Sequence, residues 1–271
     1  MRGSILRYSV LLLFGSYLHA QSFTTSSCDS DEGNTNNHGW FSGHQTRVCE
    51  LRRITLPLVD GQLSVLGKNG DIELIGENRT DVALEARVLA QASSREEAKS
   101  MLREIKIATT GTLQAEGPRS MWSARNWSVN YRLRVPRRLA AHLHTENGGI
   151  NVSNVDGEIT ADTINGGLVL RDLAGQVHAN TVNGGLEVAL EGTQWRGSGL
   201  TAKSTNGGIT VKAPEGYSAH LVAETVNGGV HVAFPITMTG TIKNHVDADI
   251  GRGGATLQFQ TVNGGVHIER N

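Results

Sequence analysis

The chain is most informative first in what it has little of. Its 271 residues include only two cysteines, Cys28 and Cys49, which excludes a multi-bridge disulfide scaffold and any four-thiolate metal site. Aromatic residues make up 5% of the chain, too few for a core of stacked rings. The formal net charge of −1 leaves no excess of positive charge for a polyanion, so nucleic acid is not an expected partner. No apolar run approaches the roughly 20 residues that a membrane-spanning helix needs. A Gly-x-Ser-x-Gly elbow, a phosphate-binding loop and a His-Glu-x-x-His pair are all missing, and no cofactor is implied. Glycine, in contrast, stands at 33 residues, well above the usual ~7%, beside an ordinary 38% of hydrophobic residues. That combination points to a turn-rich β protein.

The first twenty residues read as an address. Arg2 and Arg7 supply a positive stretch ahead of a short apolar run, Val10-Leu11-Leu12-Leu13-Phe14, and Leu18-His19-Ala20 ends on a small residue before Gln21. This is the pattern of a cleaved secretory signal, and it predicts export to the periplasm, cell surface or medium. No cysteine follows Ala20 directly, so a lipid-anchored start is not expected. In an oxidising compartment Cys28 and Cys49 can pair, closing a polar loop of about 20 residues at a gain of roughly 3 kcal/mol by chain entropy. His38 and His44 lie in that loop, but their spacing to the thiols fits no common zinc pattern, and no metal site is assigned. The expected division is a signal over 1–20, a disulfide-closed polar segment over 21–50, and a β domain over 51–271.

Self-similarity then decides the architecture. A Thr-x-Asn-Gly-Gly turn, with Ser204 starting a Ser-Thr variant of it, recurs at Asn147-Gly148, Asn165-Gly166, Asn183-Gly184, Asn206-Gly207, Asn227-Gly228 and Asn263-Gly264. Each turn is followed by a short alternating run such as Ile150-Asn151-Val152 or Leu168-Val169-Leu170. The asparagines are 18, 18, 23, 21 and 36 residues apart, and the last gap accommodates a degenerate unit at Ala248-Asp249-Ile250. A second turn is expected midway in each unit, at Asp156-Gly157 and Ala174-Gly175. Asn and Gly accept positive φ at low cost, so each Asn-Gly-Gly is read as a sharp corner. An antiparallel meander could use such turns, but only stacked rungs explain why the same residue returns at the same place, since equivalent positions then lie ~4.8 Å apart. The fold class is therefore an all-β solenoid, parallel β-helix-like, with rungs of about 18 residues.

The region 51–140 is less regular than 141–271. Alternation at 54–56, 63–65, 72–74, 82–88 and 127–135 predicts strands, and Asn69-Gly70-Asp71 looks like a weaker early copy of the turn. One helix is expected, capped by Ser93 or Ser94 with Glu96 or Glu97 completing the cap, and docked through Ala98, Met101, Leu102 and Ile105. The turn series, the capped helix and the strand ending in Val135-Pro136-Arg137 together resemble the bacterial adhesin-like family, a domain of unknown function known for repetitive β-solenoid folds. The resemblance covers the chain from about Leu51 onward. It implies surface binding without naming a ligand, and it brings no catalytic residues.

Functional candidates are few. Trp195 and Tyr217 lie in two inserted loops, and Trp122, with Trp127 at a strand start, lies in a stretch that also holds Arg119 and Arg125; rings on loops serve either as ligand platforms or as lids over a core. His231, Asp249 and His267 are 18 apart and would stack outward on successive rungs, either as a polar surface column or as a hydrogen-bonded ladder able to hold a divalent metal. Asp156, Glu158, Asp162, Asp172 and Glu187 are the carboxylates a polysaccharide lyase or hydrolase could draw on, although alternation turns them to solvent. The terminal strand Val266-His267-Ile268 is expected to leave an open edge, where self-association could occur. The reading is an exported, non-catalytic binding or structural module of the cell envelope. Its partner would be an extended ligand (glycan, envelope polymer or protein), and the alternative is a carbohydrate-active enzyme.

Overall fold

A computed structural model describes residues 22–28, 46–119, 125–236 and 243–271. The proposed signal segment, His38, His44 and Trp122 lie outside the described residues. Period-two alternation carries most of the chain into strands. The N-terminal part holds β1 (Thr24–Ser27), β2 (Thr46–Pro57), β3 (Gln62–Asn69), β4 (Ile72–Glu77), β5 (Asp81–Ala92), the helix α1 (Arg95–Glu104), β6 (Lys106–Ala108), β7 (Thr112–Glu116) and β8 (Asn126–Pro136). The repeats follow as β9 (Ala140–Asn147), β10 (Ile150–Ser153), β11 (Asp156–Asn165), β12 (Leu168–Arg171), β13 (Ala174–Asn183), β14 (Leu186–Ala189), β15 (Gly199–Asn206) and β16 (Ile209–Ala213). The remainder is β17 (Ala219–Asn227), β18 (Val230–Val232), β19 (His245–Ile250), β20 (Thr256–Asn263) and β21 (Val266–Arg270).

Two sheets result. One runs β1-β2-β5-β8-β4-β10-β12-β14-β16-β21-β18, the other β19-β17-β20-β15-β13-β11-β9-β3-β7-β6. Each repeat places one strand in each sheet, with the Asn-Gly corner between them. Equivalent residues pair in parallel, Leu168 beside Leu186 and Thr163 beside Thr181, so the fold is a β-solenoid and the hairpin meander is ruled out. Inward positions such as Ile150, Leu168, Ile159, Val177, Ala161 and Ala179 are fully or almost fully buried and form one continuous core between the sheets. Phe259 fills the space left by its small in-register neighbours Ala202 and Ala223.

The structure assigns a job to each letter of the repeat. The threonine turns inward, and its hydroxyl donates to a glycine carbonyl of the neighbouring rung: Thr163 to Gly148 and Thr181 to Gly166, both at 2.8 Å, with Ser204 to Gly184 at 3.0 Å. The buried hydroxyl therefore keeps a partner, which burial requires. The asparagines form an amide ladder in which each Nδ2 donates to the Oδ1 of the asparagine before it in stacking order. It runs from Asn69 through Asn147, Asn165, Asn183, Asn206 and Asn263 to Asn227 in steps of 2.8 or 2.9 Å. At Gly166 the first glycine is required for a reason other than the one expected. Gly166 is not among the positive-φ residues. Instead, a Cβ there would sit 1.9 Å from the Gly148 carbonyl oxygen of the rung beside it.

Three further expectations are corrected. The midway corner falls at Asn154 and Asp172, which hold positive φ of 59° and 45°, while Gly157 and Gly175 lie inside strands pressed against the next backbone. The segment 248–250 is no degenerate rung: β19 runs antiparallel to β17 at the end of its sheet. The seventh marked rung is the one at Asn69, the weak early copy. Finally, β21 is not an edge. The unit β20–β21 inserts between β15–β16 and β17–β18, so Val266-His267-Ile268 is paired on both sides, and the edge falls to three-residue β18. There Val230 N–H donates to the Lys243 carbonyl, which blunts the exposed edge.

The N-terminal end is closed by antiparallel strands. β5 pairs with β2 and β8, and α1 lays Ala98, Met101 and Leu102 against this layer. Ser94 is the cap that forms, its hydroxyl accepting from Glu97 N–H at 3.2 Å. At the other helix end the Arg52 guanidinium donates to the carbonyls of Leu102 and Ile105, each at 2.6 Å. The Cys28–Cys49 disulfide ties β1 to β2 at this end of the molecule.

Candidate binding groove

The positions flanking the repeat threonine both face outward from the β17-β20-β15-β13-β11-β9 face, and together they line a groove of about 580 Å³, well within the size range of ligand sites. One wall is the residue before the threonine: His144, Asp162, Asn180, Lys203, Gln260 and Glu224, in stacking order. The other is the x of Thr-x-Asn: Ile164, Val182, Thr205, Val262 and Val226. From His144 to Glu224 the groove crosses five rung intervals, about 24 Å. Its apolar wall is exposed, with Ile164 at 40%, Val182 at 42%, Val262 at 40% and Val226 at 65% of their free surface. Single exposed valines need no explanation, but a line of them along a concavity does.

The polar wall is ordered. Asn180 donates to the Asp162 carboxylate at 2.7 Å and Gln260 to that of Glu224 at 3.3 Å. His142, next to this wall, lies 4.0 Å from Asp162. Lys203 stands between the two amides and makes no ion pair among the described residues. Its rung also breaks the apolar wall, because Thr205 stands where its neighbours have valine.

The residues singled out from sequence fall elsewhere. Trp195 and Tyr217 are 7% and 1% exposed and close over the core. The Trp195 indole donates to the Gly175 carbonyl at 3.0 Å. Burial pushes the Tyr217 phenol up to about 12, with Arg196 pulling the other way. Of the two readings open for these rings, their burial matches the lid and leaves no face for a ligand to stack on. Trp127 is likewise half-buried, with its indole on the Pro118 carbonyl. The expected His231–Asp249–His267 column does not form. His231 and His267 are in-register neighbours with ring centroids 6.3 Å apart, whereas Asp249 accepts from His220 in the other sheet. Among the described residues no group of three or more His, Cys, Asp or Glu is placed to hold a metal ion. The carboxylates are dispersed: Asp172 faces Arg196, Glu187 faces Arg171 and Lys212, and Asp162 lies in the groove.

The groove was accessible to sequence reasoning through one signal. With threonine inward, x must point outward, and outward Ile, Val, Val and Val in four units is an apolar stripe with no partner.

A family model described as Toastrack DUF4097 matches residues 32–269. No curated protein sequence matches the chain. Among solved structures, a provisionally assigned cell adhesion protein from Clostridium sporogenes ATCC 15579 is 13% identical, covers 83% of this chain and 100% of its own, and superposes with a TM-score of 0.45. A provisionally assigned adhesin from Bacteroides fragilis NCTC 9343 is 11% identical over 82% of this chain and 97% of its own, with a TM-score of 0.39.

Proposed function

The chain belongs to the Toastrack DUF4097 family, and from that premise we propose that it is a non-catalytic binding module of the cell envelope that takes an extended ligand along the groove. The observation that carries this reading is the line of exposed side chains Ile164, Val182, Val262 and Val226, which a solenoid with no ligand has no reason to keep apolar. A surface repeating every rung suits a ligand held by many weak contacts. The groove's two carboxylates, Asp162 and Glu224, stand four rungs apart, about 19 Å. That is roughly twice the widest separation at which a carboxylate pair works on one glycosidic bond, and it favours binding over hydrolysis. The Cys28–Cys49 disulfide supports an oxidising, extracytoplasmic location. Among the described residues no helix is long and apolar enough to cross a membrane.

The test is association of the purified protein with isolated envelope material. Replacing Val182 and Val262 together by lysine is expected to cut the bound fraction at least about tenfold, which corresponds to ~1.4 kcal/mol, with an unchanged circular-dichroism melt. Undiminished association of a folded double variant would move the binding surface elsewhere.

A further inference from the structure

The groove's charges are spaced in a way that restricts its ligand. Along the polar wall the order is Asp162, Asn180, Lys203, Gln260, Glu224, which is negative, neutral, positive, neutral, negative, one residue per rung. The sign of the charge therefore alternates every two rungs, about 9.6 Å. The two amides are turned to the carboxylates and not to Lys203. The cation at the centre is thus left for an incoming anion, with the Thr205 side chain on the opposite wall of the same rung. Apolar side chains stand on both sides of that point, Ile164 and Val182 below, Val262 and Val226 above.

We infer that the groove recognises a peptide in the polyproline II conformation that carries an acidic side chain at its centre, a basic side chain three residues to either side, and apolar residues between. This rests on the groove being the binding site. A polyproline II strand has three residues per turn and rises ~3.1 Å per residue, so residues i−3, i and i+3 share one face about 9.3 Å apart. That spacing matches two rungs to within a few tenths of an ångström, and a seven-residue segment spans the ~19 Å from Asp162 to Glu224. A flat β-strand would not fit in this way, because residues three apart on it face opposite sides. The apolar residues between the charges would turn to the Ile164–Val182–Val262–Val226 wall. A ligand with an anionic group at one end and a single hydrocarbon tail would occupy only one half of this wall, which disfavours a simple anionic amphiphile. Its backbone, which has no internal hydrogen bonds, stays solvated on the open side of the groove, since the floor's own amides are engaged between rungs.

The probes are three fluorescein-labelled peptides: Lys-Pro-Val-Glu-Pro-Val-Lys, its charge-reversed form Glu-Pro-Val-Lys-Pro-Val-Glu, and a form with glutamine at all three charged places. Anisotropy titrations of the disulfide-bonded protein at low salt are expected to rank them in that order inverted only for the last two, with the acid-centred peptide at least about tenfold tighter than the reversed one, or ~1.4 kcal/mol. High salt should narrow the difference, since exposed charges are screened. Lys203→Glu should shrink that preference to what the two end charges supply and make a fourth peptide, with lysine at all three places, the tightest, while Lys68→Glu, on the same face but outside the groove lining, should leave the ranking intact. Equal affinities for the three peptides would overturn the charge register while leaving the groove reading standing. Absence of any peptide binding, with the Val182 and Val262 double variant still losing envelope association, would overturn the peptide and keep the groove. If both the peptides and that variant are without effect, the groove reading itself falls.

Discussion

The middle of the solenoid and its two ends are made of the same alternating strands, but they solve different problems. From β9 to β16 every strand has an equivalent neighbour, the pairing is parallel, and the same three contacts recur: threonine on glycine carbonyl, asparagine on asparagine, glycine against glycine. At the ends there is no equivalent neighbour to stack on. There the chain turns antiparallel, as β2–β5–β8 with α1 on one side and β19 on the other. A repeat therefore extends a core but cannot finish one, and finishing takes residues that do not repeat.

The largest test of that contrast compares two glycines. In the repeats, Gly166→Val would drive a side chain into the Gly148 carbonyl and force the rungs apart. A loss of about 3 kcal/mol or more is expected from urea unfolding. In the loop before β17, Gly216 has φ +81° with nothing near its missing Cβ, so Gly216→Ala should cost only about 1 kcal/mol. Similar losses at the two sites would break the distinction between stacking and turn glycines.

A smaller effect separates the interior of the asparagine ladder from its end. Asn183→Ala removes two ladder bonds, one to Asn165 and one from Asn206, whereas Asn227→Ala removes the single bond to Asn263. Denaturant midpoints should show a loss of about 1–2 kcal/mol for the first and roughly half of that for the second. Equal values would mean that the ladder satisfies the amides without stabilising the stack.

An effect that vanishes at neutral pH lies in the N-terminal layer and shows only in alkali. Tyr131 is buried in β8, its hydroxyl has no partner among the described residues, and burial holds its phenol well above the ordinary value near 10. Below that value both folded and unfolded states keep the proton, so nothing is lost. Above it the unfolded chain ionises first, and stability falls as pH rises, by up to about 1.4 kcal/mol per pH unit. Tyr131→Phe should flatten this alkaline fall and leave neutral-pH stability equal or slightly higher. An unchanged alkaline limb would remove Tyr131 from the explanation.

The same contrast explains what could be read from sequence. Repeat identity specified the register, so Leu168 beside Leu186 needed no coordinates. The order of the units was not available, because Asn206, Asn227 and Asn263 carry the same motif and nothing local says which is neighbour to which. The alternating strand β19 looked like one more rung, since alternation is shared by parallel and antiparallel partners. The aromatic loops drew attention because rings are large and rare. Trp195 and Tyr217 lie inside because each loop folds back over the core. The groove came instead from valines at a position where a polar residue would have served the fold equally well.

The placement of β20–β21 between two units that precede it has a consequence for how the chain reaches its native state. A solenoid that wound itself up as it emerged would seat β17–β18 directly on β15–β16, and the shared motif offers nothing to forbid it. The native order requires that this berth stay vacant until some thirty residues later in the chain arrive, so growth cannot be purely sequential. The antiparallel pairing of β17 with β19 is local and can form early, holding that unit as a separate hairpin. The molecule thus carries a built-in competition between a mis-stacked register, quick to form, and the correct one, which closes last. Refolding from denaturant should accordingly show a slow step that belongs to the C-terminal rungs alone.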